Sequence, residues 1–298
     1  MTVAAPAKIN LFLDITGKRN DGYHLIATVM QAVSLCDDVT VIVDRDSEEI
    51  RVSCSEEEIP SDCDNIAYRA AQAFFRDTGA ERTGLQIRIK KRIPWGAGMA
   101  GGSADAAAVL FALNELFEQG LTTEELAEIG ESVGADVPFC LYGGTMSAAG
   151  IGTILSPLPD MPDCTLLIVK PDFKISTKEA YERSDGLGYD FPKNMQGLTD
   201  AVCNGRVEEI GKHLYNKFEE IVDQPEIEEI KHIMKRFGAL GAVMTGSGSA
   251  VFGIYDDKDK ANDALSELWD RFPTAFLTEP VSHGPQKINP GFLASLLS

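Results

Sequence analysis

Apolar and polar positions alternate along the first part of the chain. From Pro6 to Ile15, Ala7, Ile9, Leu11, Leu13 and Ile15 interleave with Lys8, Asn10, Phe12 and Asp14. That period of two predicts a strand with one buried face, on which Lys8 and Asn10 share the other side. Residues 39–44 and 50–54 read as two paired strands across an acidic turn. Asp64 or Asn65 then caps a predicted helix that turns Ile66, Ala70, Ala73 and Phe74 inward and stops at Gly79. A second alternation, Leu85, Ile87 and Ile89 against Gln86, Arg88 and Lys90, predicts another strand. Ala106, Val109, Leu110, Leu113 and Phe117 recur at helical spacing as far as Gly120. Thr122 and Glu125 have capping-box spacing ahead of a helix with Leu126, Ile129 and Val133 inside. Pro138 pushes Val137 towards extended geometry, which places Asp136 at a helix-to-strand corner. Four glycines between short apolar runs predict tight antiparallel strands over 139–156.

Pro157, Pro159 and Pro162 interrupt the composition, and a domain boundary is expected near residue 160, dividing the chain into 1–160 and 161–298. Beyond it come a buried strand over 165–170 and a helix capped by Ser176 or Thr177. Polar helices follow to about residue 237. Strands over 242–245 and 250–255 are joined through Gly246-Ser247-Gly248-Ser249, then a helix carries Ala261, Leu265 and Leu268, and a last strand covers 274–278. Strand, helices, strand, strand, helix, strand is the split βαβ order. The tail from Val281 to Ser298 reads as irregular, then weakly helical.

The length, 298 residues, is enough for two domains of ordinary size. No apolar run is long enough to span a bilayer, and the N-terminus has no signal-peptide pattern, so a cytoplasmic protein is expected. Six cysteines are scattered with no C-x-x-C pair, which suggests reduced thiols and no zinc. The net charge of −19 argues against nucleic acid and anionic membranes as partners. It would also repel a phosphorylated ligand, so any anion site has to be built locally from backbone N–H groups and a few placed cations.

Residues 94–107, Pro-Trp-Gly-Ala-Gly-Met-Ala-Gly-Gly-Ser-Ala-Asp-Ala-Ala, lie between a predicted strand and a predicted helix. Glycines admit a ligand close to the backbone, and a helix start offers unpaired N–H donors, so the segment suits phosphate. Gly96, Gly98 and Gly101 spell G-x-G-x-x-G. A dinucleotide fold would require a fully buried first strand and an acid about 20 residues on. Here the strand alternates with charge, and Glu118 lies inside the helix. Gly96, Gly101 and Ser103 also fit a P-loop, except that Gly102 stands where the lysine belongs. The cradle is kept, and its cation must come from elsewhere. An ordinary surface turn is the plain alternative.

The same stretch resembles the phosphate-binding motif of the GHMP kinases, small-molecule ATP-dependent kinases without a Walker lysine. In that family the position of Ala104 often carries a second serine. Residues 6–15 and the run GKRNDGYHLI, which ends at Ile26, are similar to the branch that acts on a cytidine diphosphate derivative of methylerythritol. GADVPF at 134–139, KPDFKISTKEAY at 170–181 and MTGSGSAVFGIY at 244–255 follow in family order. The resemblance implies an α+β, two-domain GHMP kinase fold: an N-terminal ribosomal-protein-S5-like domain and a C-terminal ferredoxin-like domain. It implies ATP-dependent phosphorylation of the 2-hydroxyl of that substrate, in isoprenoid precursor biosynthesis.

For the residues, the resemblance implies ATP at Pro94, Gly96, Ala97, Gly98, Met99, Ala100, Gly101, Gly102, Ser103 and Ala104, with Asn65 bordering the adenine. Asp136 becomes the general base and Lys8 its assistant. Asn10, Tyr23, His24 and Tyr181 orient the cytidine end, Thr177 falls on a ligand-contacting threonine, and Gly246 and Ser247 approach the substrate. Mg2+ is implied by the ATP chemistry, with Ser103 and Asp105 as suspects for its ligands; an aspartate in a helix's first turn is also simply favourable with the dipole. Each residue has a plainer reading: a solvated strand face for Lys8 and Asn10, a loop closure for Tyr23 and His24, a turn aspartate for Asp136, a cap for Asn65 and core packing for Tyr181. Monomer and homodimer are both open. A GHMP kinase for homoserine, mevalonate or a sugar, and a non-catalytic nucleotide-binding regulator, are the rival functions.

Overall fold

The computed structural model describes residues 1–189 and 193–288. Its first part runs β1 (Thr2–Lys18), β2 (His24–Asp44), β3 (Ile50–Cys54), α1 (Ile66–Thr78), β4 (Gly84–Lys90), α2 (Gly101–Leu116), α3 (Thr123–Glu131), α4 (Val137–Tyr142), β5 (Thr145–Ala149) and β6 (Ile154–Pro157). The second runs β7 (Thr165–Val169), α5 (Thr177–Ser184), α6 (Gln196–Cys203), α7 (Val207–Lys212), β8 (Tyr215–Asn216), α8 (Pro225–Arg236), β9 (Gly241–Met244), β10 (Val251–Tyr255), α9 (Lys258–Trp269), β11 (Ala275–Thr278) and β12 (Gln286–Lys287). Among the described residues, no helix is long and apolar enough to cross a membrane.

Two sheets result. The larger has the order β12-β1-β2-β4-β3, with β5 and β6 continuing from β2 and β8 alongside β1. The smaller has the order β11-β7-β10-β9, all antiparallel, which is the ferredoxin-like arrangement expected from the split βαβ order. It is buried on both faces. Leu167, Val169 and Val251 pack with Ile230 and Met234 of α8 and Ala264 and Leu268 of α9, while Leu166, Ile168 and Phe252 join the core of the larger sheet. Thr122 and Glu125 form both halves of the predicted capping box, and Gly79 ends α1 in the left-handed conformation.

Four expectations are corrected. Residues 39–44 and 50–54 do not pair with each other: β4 lies between them, antiparallel to β2 and parallel to β3. The chain between β3 and β4 crosses over through α1, and a crossover returns a strand in the same direction. Strict alternation along β1 also fails. The register slips between Asn10 and Phe12, so that Asn10 faces Met30, Phe12 faces Val29 and Leu13 faces Thr28. The bulge at Leu11 moves Leu13 onto the side of Lys8 and Asn10, and Leu13 and Ile15 pack against the smaller sheet's core.

Residues 137–142 form a helix where an extended segment was expected. Pro138 falls in the first turn, where a missing N–H costs nothing and a fixed φ suits the helix. In the tail, β12 pairs with Val3 and Ala4 of β1. The weakly helical segment expected beyond it falls largely on residues 289–298, outside the described residues.

The returning strap passes closest to α4 at Gly284. A Cβ there would stand 2.1 Å from the Leu141 carbonyl oxygen at the end of α4. Replacing Gly284 by valine is expected to lower stability by about 2 kcal/mol or more through overpacking. A urea titration measures it, and an unchanged midpoint would show that the strap can slide.

Candidate active site

The glycine stretch turns sharply because three of its residues are left-handed: Gly96 at φ 67°, Gly98 at φ 74° and Ala100 at φ 55°. α2 begins at the next residue, Gly101. A second glycine turn, between β9 and β10, backs onto the first. A Cβ on Gly98 would lie 2.2 Å from the Thr245 carbonyl oxygen, and one on Gly246 would lie 2.7 Å from the Gly98 carbonyl oxygen. Only bare backbone fits on both sides. Lys8 N–H donates to the Met99 carbonyl at 3.2 Å, and Ala250 N–H to the Ala97 carbonyl at 3.3 Å. β1 and the smaller sheet thus hold the loop between them.

The Asn10 side chain joins β1, β2 and the second glycine turn. Its Oδ1 accepts from Lys8 Nζ at 2.7 Å and from Gly246 N–H at 3.1 Å, and its Nδ2 donates to Thr28 Oγ1 at 2.9 Å. Lys8 is thereby aimed. Its Nζ stands 3.9 Å from Asp136 Oδ2. Asp136 is the N-cap residue of α4, but its side chain makes no capping bond. The Lys8 side chain is 7% exposed and that of Asp136 38%, so the ammonium is buried while the carboxylate faces open space.

At the other end, the His24 ring stacks on Tyr181 with centroids 4.8 Å apart and planes at 23°, and Tyr181 meets Phe218 edge-on at 5.0 Å. Burial, with Asp136 nearby, pushes the Tyr181 phenol up to about 12. Asp185, just after α5, gathers three donors: Lys18 Nζ at 2.5 Å, His24 Nε2 at 2.8 Å and Tyr189 Oη at 2.7 Å. The hydrogen bonds from Lys18, Tyr189 and His24 hold its carboxyl well below the usual carboxylate range. Thr177 and Ser247 meet hydroxyl to hydroxyl at 2.9 Å. Tyr23 sits at the turn tip, 62% exposed.

A continuous cavity of about 750 Å³ connects these parts. Every site residue expected from the sequence lines it except Ala104, Asn65 and Asp105. Ala104 is buried in the first turn of α2. Asn65 is buried and caps α1: its Oδ1 accepts from Ala67 N–H at 2.9 Å and its Nδ2 donates to the Pro60 carbonyl at 2.6 Å. Asp105 lies beyond the first turn of α2, so the helix-dipole argument does not apply to it. It is 3% exposed, its Oδ2 accepts from Lys91, and its Oδ1 is buried without a partner. Burial raises its carboxyl above the usual carboxylate range, and the Lys91 ammonium opposes that rise. Ser103 does line the cavity.

Several cavity residues were not singled out from the sequence. Lys18 and Phe218 line it, and so does Trp95, which Lys174 Nζ covers at 3.9 Å from the ring centroid. Lys18 lies within the stretch that carried the resemblance, three residues before the Asp21-Gly22 turn. Nothing near Asp185 or Phe218 in the sequence marks either one.

The sequence matches the GHMP kinases N terminal domain over residues 65–144 and the GHMP kinases C terminal domain over residues 198–274. It is 46% identical to the 4-diphosphocytidyl-2-C-methyl-D-erythritol kinase of Caldicellulosiruptor bescii, over 90% of this chain and 94% of the relative. It is 42% identical to that of Clostridium perfringens, over 91% of this chain and 94% of the relative. A crystal structure of 4-(cytidine 5'-diphospho)-2C-methyl-D-erythritol kinase superimposes with a TM-score of 0.78 at 31% identity, covering 94% of this chain and 99% of the other. Homoserine kinase from Cytophaga hutchinsonii shares the fold, with a TM-score of 0.76 at 20% identity over 97% of each chain.

The geometry separates capping from nucleotide contact at Asn65. Asn65→Ala is expected to cost about 1 kcal/mol of stability and to leave adenosine affinity within about twofold. Thermal unfolding and calorimetric titration measure the two. A large loss of adenosine affinity with an unchanged midpoint would return Asn65 to the nucleotide site.

Proposed function

The chain belongs to the GHMP kinases, in the family of the 4-diphosphocytidyl-2-C-methyl-D-erythritol kinases, and on that premise we propose that it transfers the γ-phosphoryl group of ATP to the 2-hydroxyl of 4-(cytidine 5'-diphospho)-2-C-methyl-D-erythritol. One observation carries the reading. A buried ammonium and an open carboxylate, Lys8 and Asp136, stand 3.9 Å apart beside a backbone nest, in a cavity whose far end is aromatic.

Phosphoryl transfer needs the two reactants in line, charge compensation, and a place for the hydroxyl proton. The triphosphate lies along the glycine turn, against the N–H donors that open α2. The substrate hydroxyl sits between Asp136 and the γ-phosphorus. Its oxygen forms the new O–P bond, the bond to the β–γ bridging oxygen breaks, ADP leaves, and the proton passes to the Asp136 carboxylate. Lys8 faces the same oxygen and offsets its developing negative charge. Asn10 keeps the Lys8 ammonium in place by a hydrogen bond of 2.7 Å. The cytidine end binds against the His24 and Tyr181 rings, and that remote binding orients the hydroxyl. The smaller alcohols of homoserine or mevalonate kinases would give these rings no partner.

Magnesium, when bound, would neutralise phosphate charge. Among the described residues, no three His, Cys, Asp or Glu side chains form a cage for it. Ser103 supplies an oxygen in the cavity, whereas Asp105 is held by Lys91. The fit is to a metal carried in by the nucleotide phosphates.

An ADP-release assay against a panel of alcohols tests the assignment, with the cytidine diphosphate substrate expected to be preferred. Asp136→Asn is expected to lower kcat by about 10²–10⁴-fold, the usual range for losing a general base, with the affinity for ADP little changed. Full turnover in that variant would remove Asp136 from the mechanism. Tyr181→Ala is expected to lower kcat/KM for the cytidine substrate by about 5- to 150-fold, the equivalent of one lost base stack, without moving the KM for ATP. An unchanged kcat/KM would leave Tyr181 as core packing.

A further inference from the structure

The P-loop lysine is absent from this glycine turn, with Gly102 at its position, yet a cation lies just beneath. Lys91 follows β4 and places its Nζ under the start of α2. It donates to Asp37 Oδ2 at 2.5 Å and to Asp105 Oδ2 at 2.7 Å, with a side chain 3% exposed. Burial works against its charge, but Asp105 and Asp37 outweigh burial and hold its pKa above the usual lysine value. An ammonium has three N–H donors, and among the described residues only these two bonds leave it. Lys91 nevertheless borders the cavity. Its Nζ stands 3.1 Å from the point a Cβ on Gly101 would occupy, so a side chain at 101 would cover it.

The two carboxylates also fix the loop ends. Asp37 Oδ1 accepts the N–H groups of Arg92 at 2.5 Å and Ile93 at 2.9 Å, on the chain entering the glycine turn. Asp105 belongs to α2, on the chain leaving it. Lys91 joins the two.

We propose that Lys91 is the resident cation of the phosphate cradle, its third N–H donating to a phosphate oxygen of the bound nucleotide while Asp37 and Asp105 hold the ammonium still. This rests on the cavity taking a nucleoside triphosphate. It differs from a purely structural ion cluster in the sign of its effects. In a structural cluster, losing any member loosens the loop and weakens binding. In the proposed role, losing the cation weakens phosphate binding, while neutralising a flanking carboxylate strengthens it.

Calorimetric titration of the whole chain with ADP and with adenosine tests this, alongside thermal midpoints. Lys91→Met is expected to bind ADP at least tenfold more weakly, with a shallower salt dependence. Asp105→Asn is expected to bind ADP at least twofold more tightly. Adenosine, which has no phosphate, should change by less than twofold in both. A Lys91→Met protein with wild-type ADP affinity would overturn the proposal, as would both variants weakening ADP and adenosine alike. Should Lys91→Met fail to fold, Asp105→Asn decides by itself: a native midpoint with ADP bound no more tightly defeats the proposal. A wild-type chain that bound no adenine nucleotide would bring down the kinase reading and this proposal together, whereas an indifferent Lys91 would bring down only the latter.

Discussion

The architecture depends on two stretches of backbone lying against each other without side chains between them. Gly98 and Gly246 meet where any Cβ would overlap a carbonyl oxygen. Because the glycine turn of the first part and the β9–β10 turn of the second touch directly, the cavity has one wall from each. The amide of Asn10 completes the junction, receiving Gly246 N–H and Lys8 Nζ on the same oxygen. A contact between the two parts of the chain therefore aims the lysine, so packing and chemistry are tied at one amide.

Electrostatics sets the second constraint. A chain with a net charge of −19 has to attract a polyphosphate. It does so over short distances, where oriented N–H groups and single cations outweigh a diffuse field that salt screens. Three of the positive groups bordering the cavity are anchored. Lys8 is held by Asn10, Lys18 by Asp185, and Lys91 by Asp37 and Asp105. Holding a cation near an acid reduces its net field but removes the entropy cost of ordering it when the ligand arrives.

Much of this was legible in the sequence where the signal was local. Period-two alternation located β1 and β4, the capping box located α3, and the strand and helix order of the second part anticipated the smaller sheet. The errors arose where a local cue has two physical outcomes. Proline restricts the residue before it but also suits a helix's first turn, and at Pro138 the second outcome prevailed because α4 packs beneath α2 and α3. The alternation in β1 gave no sign of the bulge at Leu11, since apolar residues stand on both sides of the slip. β3 looked like the partner of β2 because they follow each other in sequence; that α1 returns the chain between them is a property of the whole sheet.

The candidate site divides in the same way. Resemblance brought together residues from distant parts of the chain, and the fold places nearly all of them around one cavity. It passed over groups that lie behind the surface of the site, such as Asp185 and Lys91. A carboxylate that orients a histidine, or an ammonium beneath a glycine, has no periodic pattern and no motif spacing. Its partners converge only after the sheets have formed. Asp136 shows the converse. Its identity could be read from GADVPF, but its usefulness comes from a local departure from habit. An aspartate at an N-cap ordinarily spends its oxygens on the helix's own N–H groups. With Pro138 in the first turn, one of those donors is missing, and the Asp136 side chain makes no capping bond. The carboxylate that would have secured α4 instead faces Lys8 and the cavity, so the proline that misled the local reading also removes one of that carboxylate's ordinary partners.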